Sequence, residues 1–136
     1  MTEYIKMQPV KIFTTQEANQ TLPFVKKVVA DILSLGHQIR ALSTKIGSDA
    51  QDDPEIIRLM DQLEELFEEL ESIGCSYKDW NFSVGLVDFP CVIDEKDVFL
   101  CWRCDEDELR YYHEIDSGFA GRKPIPKKYL FHKREV

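Results

Sequence analysis

The residues best suited to chemistry are concentrated between Val98 and Arg122. This segment, VFLCWRCDEDELRYYHEIDSGFAGR, combines arginines, a histidine, cysteines, aromatic residues and a Gly-x-x-Gly turn. Such groups could hold an anion, a metal ion or a transferred proton, but their spacing matches no catalytic signature such as Gly-x-Ser-x-Gly or His-Glu-x-x-His. The segment therefore indicates where a site would lie without saying what that site does.

His113 is the candidate acid or base of this segment, because imidazole titrates near neutral pH. Alternation along a strand puts His113 and Glu114 on opposite faces, so they could bind one ion only across a bulge. A carboxylate such as Asp88 could instead orient the ring. The candidate catalytic residues are therefore His113, Glu114 and Asp88, acting in a small hydrolase or lyase-like enzyme with two arginines as charge stabilisers. We favour a non-enzymatic role and keep the enzyme as the alternative.

An anion pocket is the second hypothesis for the segment, since guanidinium groups bind carboxylate and phosphate bidentately. The backbone amides of Gly118 to Gly121 could contribute to it, and an aromatic ring could stack on a planar ligand. The simpler alternative is that the arginines form ion pairs with nearby carboxylates and that the aromatic residues belong to the core. The candidate ligand-binding residues are Arg103, Arg122, His113 and Trp102.

The chain has four cysteines, and Cys101 and Cys104 form a Cys-x-x-Cys pair. A redox dithiol needs this pair at a helix N-terminus, whereas a strand would point the two sulfurs to opposite faces. A zinc site with Cys75 and Cys91 is also disfavoured, because those two lack paired spacing. We therefore predict free thiols, no zinc at Cys101 and Cys104, and no cofactor.

Composition restricts the class of protein. The chain has 136 residues, is 43% hydrophobic and carries a formal net charge of −8, which argues against nucleic-acid binding and against attachment to anionic membranes. It has no apolar run long enough to span a bilayer, and its start, MTEYIKMQPVK, has no signal-peptide core. We expect a soluble cytoplasmic protein. The basic tail, Lys123 to Arg134, could dock on the acidic stretch Asp52 to Glu71, or on an acidic partner or RNA. The simpler interpretation is that the tail and the acidic stretch are two solvated faces of opposite charge.

Two helices are predicted in the first half of the chain. Thr14 to Glu17 fits a capping box and predicts a short helical turn to Asn19, and Pro23 suits the first turn of a new helix. Apolar residues then recur with a period near 3.5, as in coiled coils, and Gly47 suits the end. Asp53-Pro54 predicts the start of the second helix, which runs to Gly74. The predicted helical hairpin spans residues 11–74.

The two helices are long for the rest of the chain to cover. Each has about 20–25 residues, or roughly 30–37 Å. An uncovered apolar stripe usually marks an interface. We therefore expect a homodimer in which two hairpins pair into a four-helix arrangement.

The hydrophobic period changes to two after Gly74. Val84 to Phe89 is predicted as a strand ended by Pro90, Asp94 to Asp97 as a hairpin loop, and Leu109 to Ile115 as a last strand. The β-rich part spans 84–122 and the basic tail 123–136, and the chain after Gly118 is expected to be irregular. The predicted fold is α+β, a single domain over 1–136 with a long antiparallel two-helix hairpin followed by a small antiparallel β-sheet.

Four sequence segments together resemble a bacterial family, domain of unknown function 2203. They are KIFTTQEANQTLPFV, GLVDFP, VFLCWR and YYHEIDSGFAGR, in this order around a two-helix middle. The resemblance covers about Lys11 to Pro124, and Cys-Trp-Arg followed by His-Glu-x-Asp-x-Gly-Phe-Ala-Gly-Arg is its most specific part. It implies a small soluble protein and brings no activity, substrate or catalytic residue. Cys104 and the tail after Pro126 lie outside the shared pattern.

Overall fold

The computed structural model describes residues 11–130. It contains two long helices, α1 (Thr15–Ile46) and α2 (Pro54–Ile73), followed by a five-stranded sheet and a short helix, α3 (Lys127–Leu130). The predicted α+β fold is confirmed. The residues from 1 to 10, on which the signal-peptide prediction depends, and the end of the basic tail from 131 to 136 lie outside the described residues.

Helix α1 begins as predicted but is not interrupted. The Thr14 side chain accepts a hydrogen bond from the Glu17 amide at 3.0 Å, and Glu17 accepts one from the Thr14 amide, which completes the capping box. The predicted separation into a turn and a new helix is wrong, since Pro23 lies inside one continuous helix. Leu22 and Val25 on either side of it are fully buried against the core. This burial outweighs the loss of one helical hydrogen bond.

The second helix confirms its predicted bounds. Asp53 caps it by accepting from the amides of Glu55 and Ile56, and Pro54 is its first residue. Gly74 ends it in the left-handed conformation, with φ of 113°. Because a connection of only seven residues, 47–53, joins α1 to α2, the helices pack as an antiparallel hairpin.

The sheet is an antiparallel meander in the order β1 to β5. Its strands are β1 (Ser76–Tyr77), β2 (Leu86–Ile93), β3 (Lys96–Arg103), β4 (Tyr111–Glu114) and β5 (Lys123–Pro124). The expected strand end at Pro90 is wrong. Pro90 lies beyond the end of β1, where its missing N–H costs no ladder hydrogen bond, and its carbonyl accepts from the Phe13 amide at 2.8 Å.

The β2–β3 connection is shorter than predicted. Only Asp94 and Glu95 form the turn, with φ of 52° and 67°, as a two-residue type I′ hairpin requires. Asp94 is held in place because its amide donates to the Tyr129 hydroxyl and its carboxylate accepts from that hydroxyl, each at 3.0 Å. Strand β4 is also shorter than the predicted Leu109 to Ile115. The expectation of an irregular chain after Gly118 is wrong, since this part contains β5 and α3.

One face of the sheet packs on the helices. Inward-facing side chains of β2 and β3 join the first half of α1 and the inner face of α2 in one hydrophobic core. The sheet contributes Val87, Phe89, Cys91, Ile93, Val98, Leu100 and Trp102 to it. Alternation therefore places their sequence neighbours on the opposite, outer face.

Asp79 holds the loop that leads from β1 into β2. Its carboxylate accepts hydrogen bonds from the backbone amides of Asn81, Ser83, Val84 and Gly85, at 2.7 to 3.2 Å. Burial raises the pKa of Asp79, but these amides together outweigh it and hold the pKa below its ordinary value. The loop therefore delivers β2 to the sheet in a fixed position.

The described part of the basic tail docks on the sheet. Lys123 pairs with Glu114 at 3.1 Å, and Lys128 pairs with Asp94 at 3.3 Å. The end of the tail is not described, so its docking on the acidic helix remains a prediction. Among residues 11–130, no helix is long and apolar enough to cross a membrane.

Gly36 allows a close approach to α1. A Cβ at this position would lie 2.5 Å from Cγ and 2.9 Å from Cβ of Phe82, whose ring stacks on Tyr77. We predict that Gly36→Ala lowers the free energy of unfolding by about 1–2 kcal/mol, because overpacking outweighs a helix-propensity gain of up to about 1 kcal/mol. In a Phe82→Gly background, which also removes the Cβ at position 82, the same change should instead stabilise the protein.

Urea denaturation of the four combinations measures this sign reversal. Gln20→Ala, at an exposed position of the same helix, serves as the control and should change stability by less than about 0.5 kcal/mol. A stabilising Gly36→Ala in the wild-type background would contradict the close contact.

Candidate functional site

The outer face of the sheet carries the residues on which the site is built. Asp88 on β2 pairs with Cys101 on β3, and Cys101 pairs with Tyr111 on β4. His113 pairs with Phe99 and is therefore the diagonal neighbour of Cys101 on the same face. One donor atom each from Asp88, Cys101 and His113 lie within 4.8 Å of one another.

His113 is fixed by both ring nitrogens. Its Nδ1 lies 2.8 Å from the Glu114 carbonyl oxygen, and its Nε2 lies 3.1 Å from Asp88 Oδ2. A carbonyl oxygen only accepts, so Nδ1 donates to it, and the contact of Nε2 with Asp88 contains a second proton, shared by the ring and the carboxyl group. The predicted orientation of His113 by a carboxylate is present, and Asp88 provides it.

Asp88 is the most unusual group of the site. The residue is only 4% exposed, yet it lies on the face away from the core. Burial raises the pKa of its carboxyl group, and the neighbouring His113 opposes that rise. Its second oxygen, Oδ1, is buried and has no hydrogen-bond partner among the described residues. An unpaired buried acceptor costs about 1–3 kcal/mol, so it calls for a functional explanation.

Cys101 completes the cluster, which we name the Asp–Cys–His cluster. Burial, and secondarily the charge of Asp88, raises the pKa of its thiol to about 12, so the free thiol is protonated at neutral pH. His113 has no ring nitrogen left to deprotonate it. The cluster is therefore poorly arranged for cysteine nucleophilic catalysis, which needs a thiolate with an adjacent free base.

A pocket opens above the cluster. It has a volume of about 310 Å³ and is lined by the three cluster residues together with Lys78, Leu86, Phe99, Ile115, Gly118 and Phe119. Its floor is polar and buried, whereas its walls are mostly apolar. This combination is typical of small-ligand sites, in which a few polar groups fix the ligand inside an apolar surface.

Arg122 positions one wall of this pocket. One guanidinium nitrogen, Nη2, donates to both carboxylate oxygens of Glu106, at 2.8 and 2.7 Å, and both side chains are at least 85% buried. It also stacks over the rings of Tyr111 and Phe119, at 4.2 and 4.8 Å from their centroids. The charge of Arg122 is thus compensated, and the residue holds Phe119 at the pocket wall.

The other candidate ligand-binding residues are dispersed. Arg103 pairs with exposed Asp105 at 2.7 Å and lies near the Phe119 ring. Trp102 is 1% exposed on the core face, and its indole N–H donates to the Glu106 carbonyl at 2.8 Å. Neither lines the pocket. Of the proposed ligand-binding set, the pocket contains only His113.

The remaining candidates also lie apart from the cluster. Glu114 faces the opposite side of β4, as alternation predicts, and pairs with Lys96 and Lys123. All four cysteines are free, and Cys104 is exposed beyond the end of β3. The Cys-x-x-Cys pair therefore does not act as a unit, in agreement with the alternation of the strand.

In the sequence-based hypotheses, Cys101 belongs to a thiol pair and His113 to an acid–base or anion site, and the two residues are not brought together. Alternation alone could have placed both residues on an outward face of their own strands. Their meeting depends on the pairing of β3 with β4, which the sequence pattern does not specify. The register across three strands was the missing information.

The fold and site describe a small α+β protein with a pocket on the outer face of an antiparallel sheet. The sequence profile of the uncharacterised conserved protein family DUF2203 matches residues 11–125, and the chain belongs to that family. The resemblance noted from the sequence is confirmed. A search of curated proteins and a search of solved structures give no match.

The exposure of the cysteines predicts their reactivity. Cys104 is exposed, whereas Cys75, Cys91 and Cys101 are at most 4% exposed. We predict that a disulfide reagent modifies one thiol quickly in the native protein and all four after unfolding. Cys104→Ser should abolish the fast phase. A second fast thiol that disappears in Cys101→Ser would contradict the burial of the Asp–Cys–His cluster.

Proposed function

We propose that the protein is a small-ligand-binding module and that its ligand occupies the pocket above the Asp–Cys–His cluster. The observation that carries this proposal is the unpaired oxygen Oδ1 of Asp88, buried in the floor of an accessible pocket. A ligand that donates a hydrogen bond or carries positive charge would satisfy it. The chemistry at the floor thus favours a cation or a donor group, although a small anion was expected from the sequence.

A larger groove between the helices is a poorer candidate for the ligand site than this pocket. That groove, of about 360 Å³, is lined mainly by surface side chains such as Asp31, Gln38, Gln62 and Glu69. None of these four is buried. A groove without a desolvated polar group offers little specificity, because water competes for every contact.

A small anion remains compatible with the rim rather than with the floor. Lys78 lines the pocket, and no carboxylate of the described residues lies within 4.0 Å of its ammonium group. Both candidate arginines are paired with acids. An anionic ligand would therefore depend on Lys78 rather than on Arg103 or Arg122.

An enzyme is the alternative function. The contact between His113 and Asp88 at the pocket floor supports it, because an oriented histidine beside a cavity is what acid–base catalysis requires. Against it, both ring nitrogens of His113 are occupied, and neither arginine lines the pocket. The predicted charge stabilisers are thus absent from this surface.

A thermal-shift screen tests the ligand-binding proposal with phosphate, acetate, ethylamine and Zn²⁺ as probes. A probe at 100 times its dissociation constant should add about 2.7 kcal/mol to the stability of the wild-type protein. Asp88→Asn should abolish the shift with ethylamine or Zn²⁺, because it removes the buried charge while keeping the shape of the side chain. Asp105→Asn, which removes an exposed carboxylate outside the pocket, should leave it intact.

The outcomes of the screen are decisive for the pocket. The absence of any shift in the wild-type protein would contradict the binding proposal. A shift that is equal in wild type and Asp88→Asn would place the ligand elsewhere. A shift with phosphate or acetate that Lys78→Ala removes would support an anion at the rim.

We also propose the homodimer, on separate grounds. Ile57 and Met60, one turn apart on α2, are 47% and 53% exposed. Along the end of α1, from His37 to Ile46, no residue is fully buried. Apolar side chains at such positions are common at interfaces between helical hairpins. A second hairpin is the partner whose length and pattern match.

Sedimentation at micromolar concentration should give twice the mass of one chain. Met60→Glu should dissociate the dimer, because it buries a charge at the proposed interface. Gln20→Glu adds the same charge at an exposed position elsewhere and should have no effect. A wild-type monomer would contradict the homodimer, and an unchanged Met60→Glu dimer would contradict this interface.

A further inference from the structure

We propose that the Asp–Cys–His cluster is a binding site for a divalent transition-metal ion of the zinc class. This inference rests on the proposed ligand-binding function and names the ligand of the same pocket. It assigns one coordinating atom to each of three residues: an oxygen of the Asp88 carboxylate, Cys101 Sγ and His113 Nε2. The coordination position left over faces the pocket.

The types of donor favour zinc over the alkaline-earth ions. Mg²⁺ and Ca²⁺ are bound almost entirely by oxygen, whereas this cluster offers one oxygen, one nitrogen and one sulfur. Imidazole and thiolate together suit Zn²⁺ and the neighbouring ions of the first transition row. Binding would displace the proton shared by His113 Nε2 and Asp88 and convert the Cys101 thiol to thiolate, and both protons would leave to solvent.

The geometry requires little rearrangement. Two ligands at about 2.0–2.2 Å from a tetrahedral ion lie about 3.4 Å apart. His113 Nε2 and Asp88 Oδ2 are already 3.1 Å apart. With a zinc–sulfur distance of about 2.3 Å, the sulfur should lie about 3.6 Å from each of the other donors. Because all donor atoms lie within 4.8 Å of one another, closure requires about 1 Å of movement or less.

The surroundings of His113 are those of a metal ligand. Metal-binding histidines usually donate their second ring N–H to a carboxylate or a backbone carbonyl, which fixes the tautomer. His113 does so through Nδ1, which lies 2.8 Å from the Glu114 carbonyl oxygen. Once the proton shared with Asp88 has left, the lone pair of Nε2 is directed at the cluster.

Burial supplies an independent argument. All three residues are at least 95% buried, although they lie on the face of the sheet away from the core. Asp88 Oδ1 has no hydrogen-bond partner among residues 11–130. A bound cation would compensate the Asp88 charge and the new Cys101 thiolate at once. It would thus offset the free-energy cost of burying the Asp88 carboxylate away from water.

Because the cluster lies at the floor of an open pocket, we expect a bound ion to be accessible from that pocket. Structural zinc sites use four protein ligands, whereas sites that bind water or substrate keep one position free. Here the described residues supply three ligands, and the remaining position opens into the pocket of about 310 Å³. Lys78 at the rim would favour an anion as the fourth ligand. The small anion predicted from the sequence would then reach the protein through the metal.

Spectroscopy with Co²⁺ and Zn²⁺ on the reduced full-length protein tests this proposal. One equivalent of Co²⁺ should produce intense d–d bands of a tetrahedral ion and a thiolate-to-cobalt charge-transfer band. Zn²⁺ should displace Co²⁺ and remove both features. X-ray absorption of the zinc-loaded protein should show one sulfur at about 2.3 Å and the remaining ligands at about 2.0–2.2 Å.

Matched variants assign the ligands. Cys101→Ser should abolish the charge-transfer band, and His113→Gln and Asp88→Asn should weaken Zn²⁺ binding by at least about 100-fold, since even loss of an outer-shell partner costs 10–100-fold. Cys104→Ser and His37→Gln remove an exposed thiol and an exposed imidazole, and they should leave affinity and spectrum unchanged. X-ray absorption of the wild-type protein is informative even where a variant does not fold.

The outcomes separate this inference from the ligand-binding proposal. A cobalt spectrum without a thiolate band, zinc coordinated without sulfur, or equal Zn²⁺ affinity in folded Cys101→Ser would overturn the metal site. If Zn²⁺ fails to bind while ethylamine still gives a shift that depends on Asp88, only the metal inference fails. If no probe shifts the wild-type protein, both proposals fail.

Discussion

The register between β2 and β3 is the constraint on which the site depends. It is set by the two-residue turn at Asp94 and Glu95, whose positive φ angles match the twist of a type I′ hairpin. This register places Asp88 directly beside Cys101. A slip of one residue would turn Asp88 into the core and expose Phe89, so packing and site geometry are selected together. The contacts of Tyr129 with Asp94 tie the chain's C-terminal part to the same turn.

The two faces of the sheet have different roles: the inner face stabilises the fold and the outer face carries the candidate site. The inner face gains stability by burying aliphatic and aromatic side chains against α1 and α2. The outer face buries a carboxylate, a thiol and an imidazole at the floor of a pocket, and Arg122, paired with Glu106, stacks on Phe119 in the wall of that pocket. That ion pair is itself largely buried, so removal of either partner would leave an uncompensated charge. The pocket therefore has a rigid wall, which suits a site with a defined ligand.

Local signals predicted the helices better than the sheet. The capping box at Thr14 and the Asp53-Pro54 start are short-range features, and the structure contains both. The sequence predicts that a new helix begins near Pro23. The helix is continuous because the burial of side chains on both sides of Pro23 outweighs the local cost of a proline inside a helix. The sequence predicts that a strand ends at Pro90. Whether a strand can continue through a proline depends on where the neighbouring strand ends, and the local sequence does not record that.

The same distinction explains what was missed at the site. Alternation correctly separated His113 from Glu114, but it could not identify which residue of another strand lies beside His113. The sequence left the arginines with two interpretations, an anion pocket or ion pairs with carboxylates, and the contact of Arg122 with Glu106 appears only in three dimensions. Because Arg103 pairs with Asp105 as well, neither arginine brings an uncompensated positive charge to the pocket. What remains at the pocket floor is a buried carboxylate beside a thiol and an imidazole, an electrostatic environment that attracts a cation.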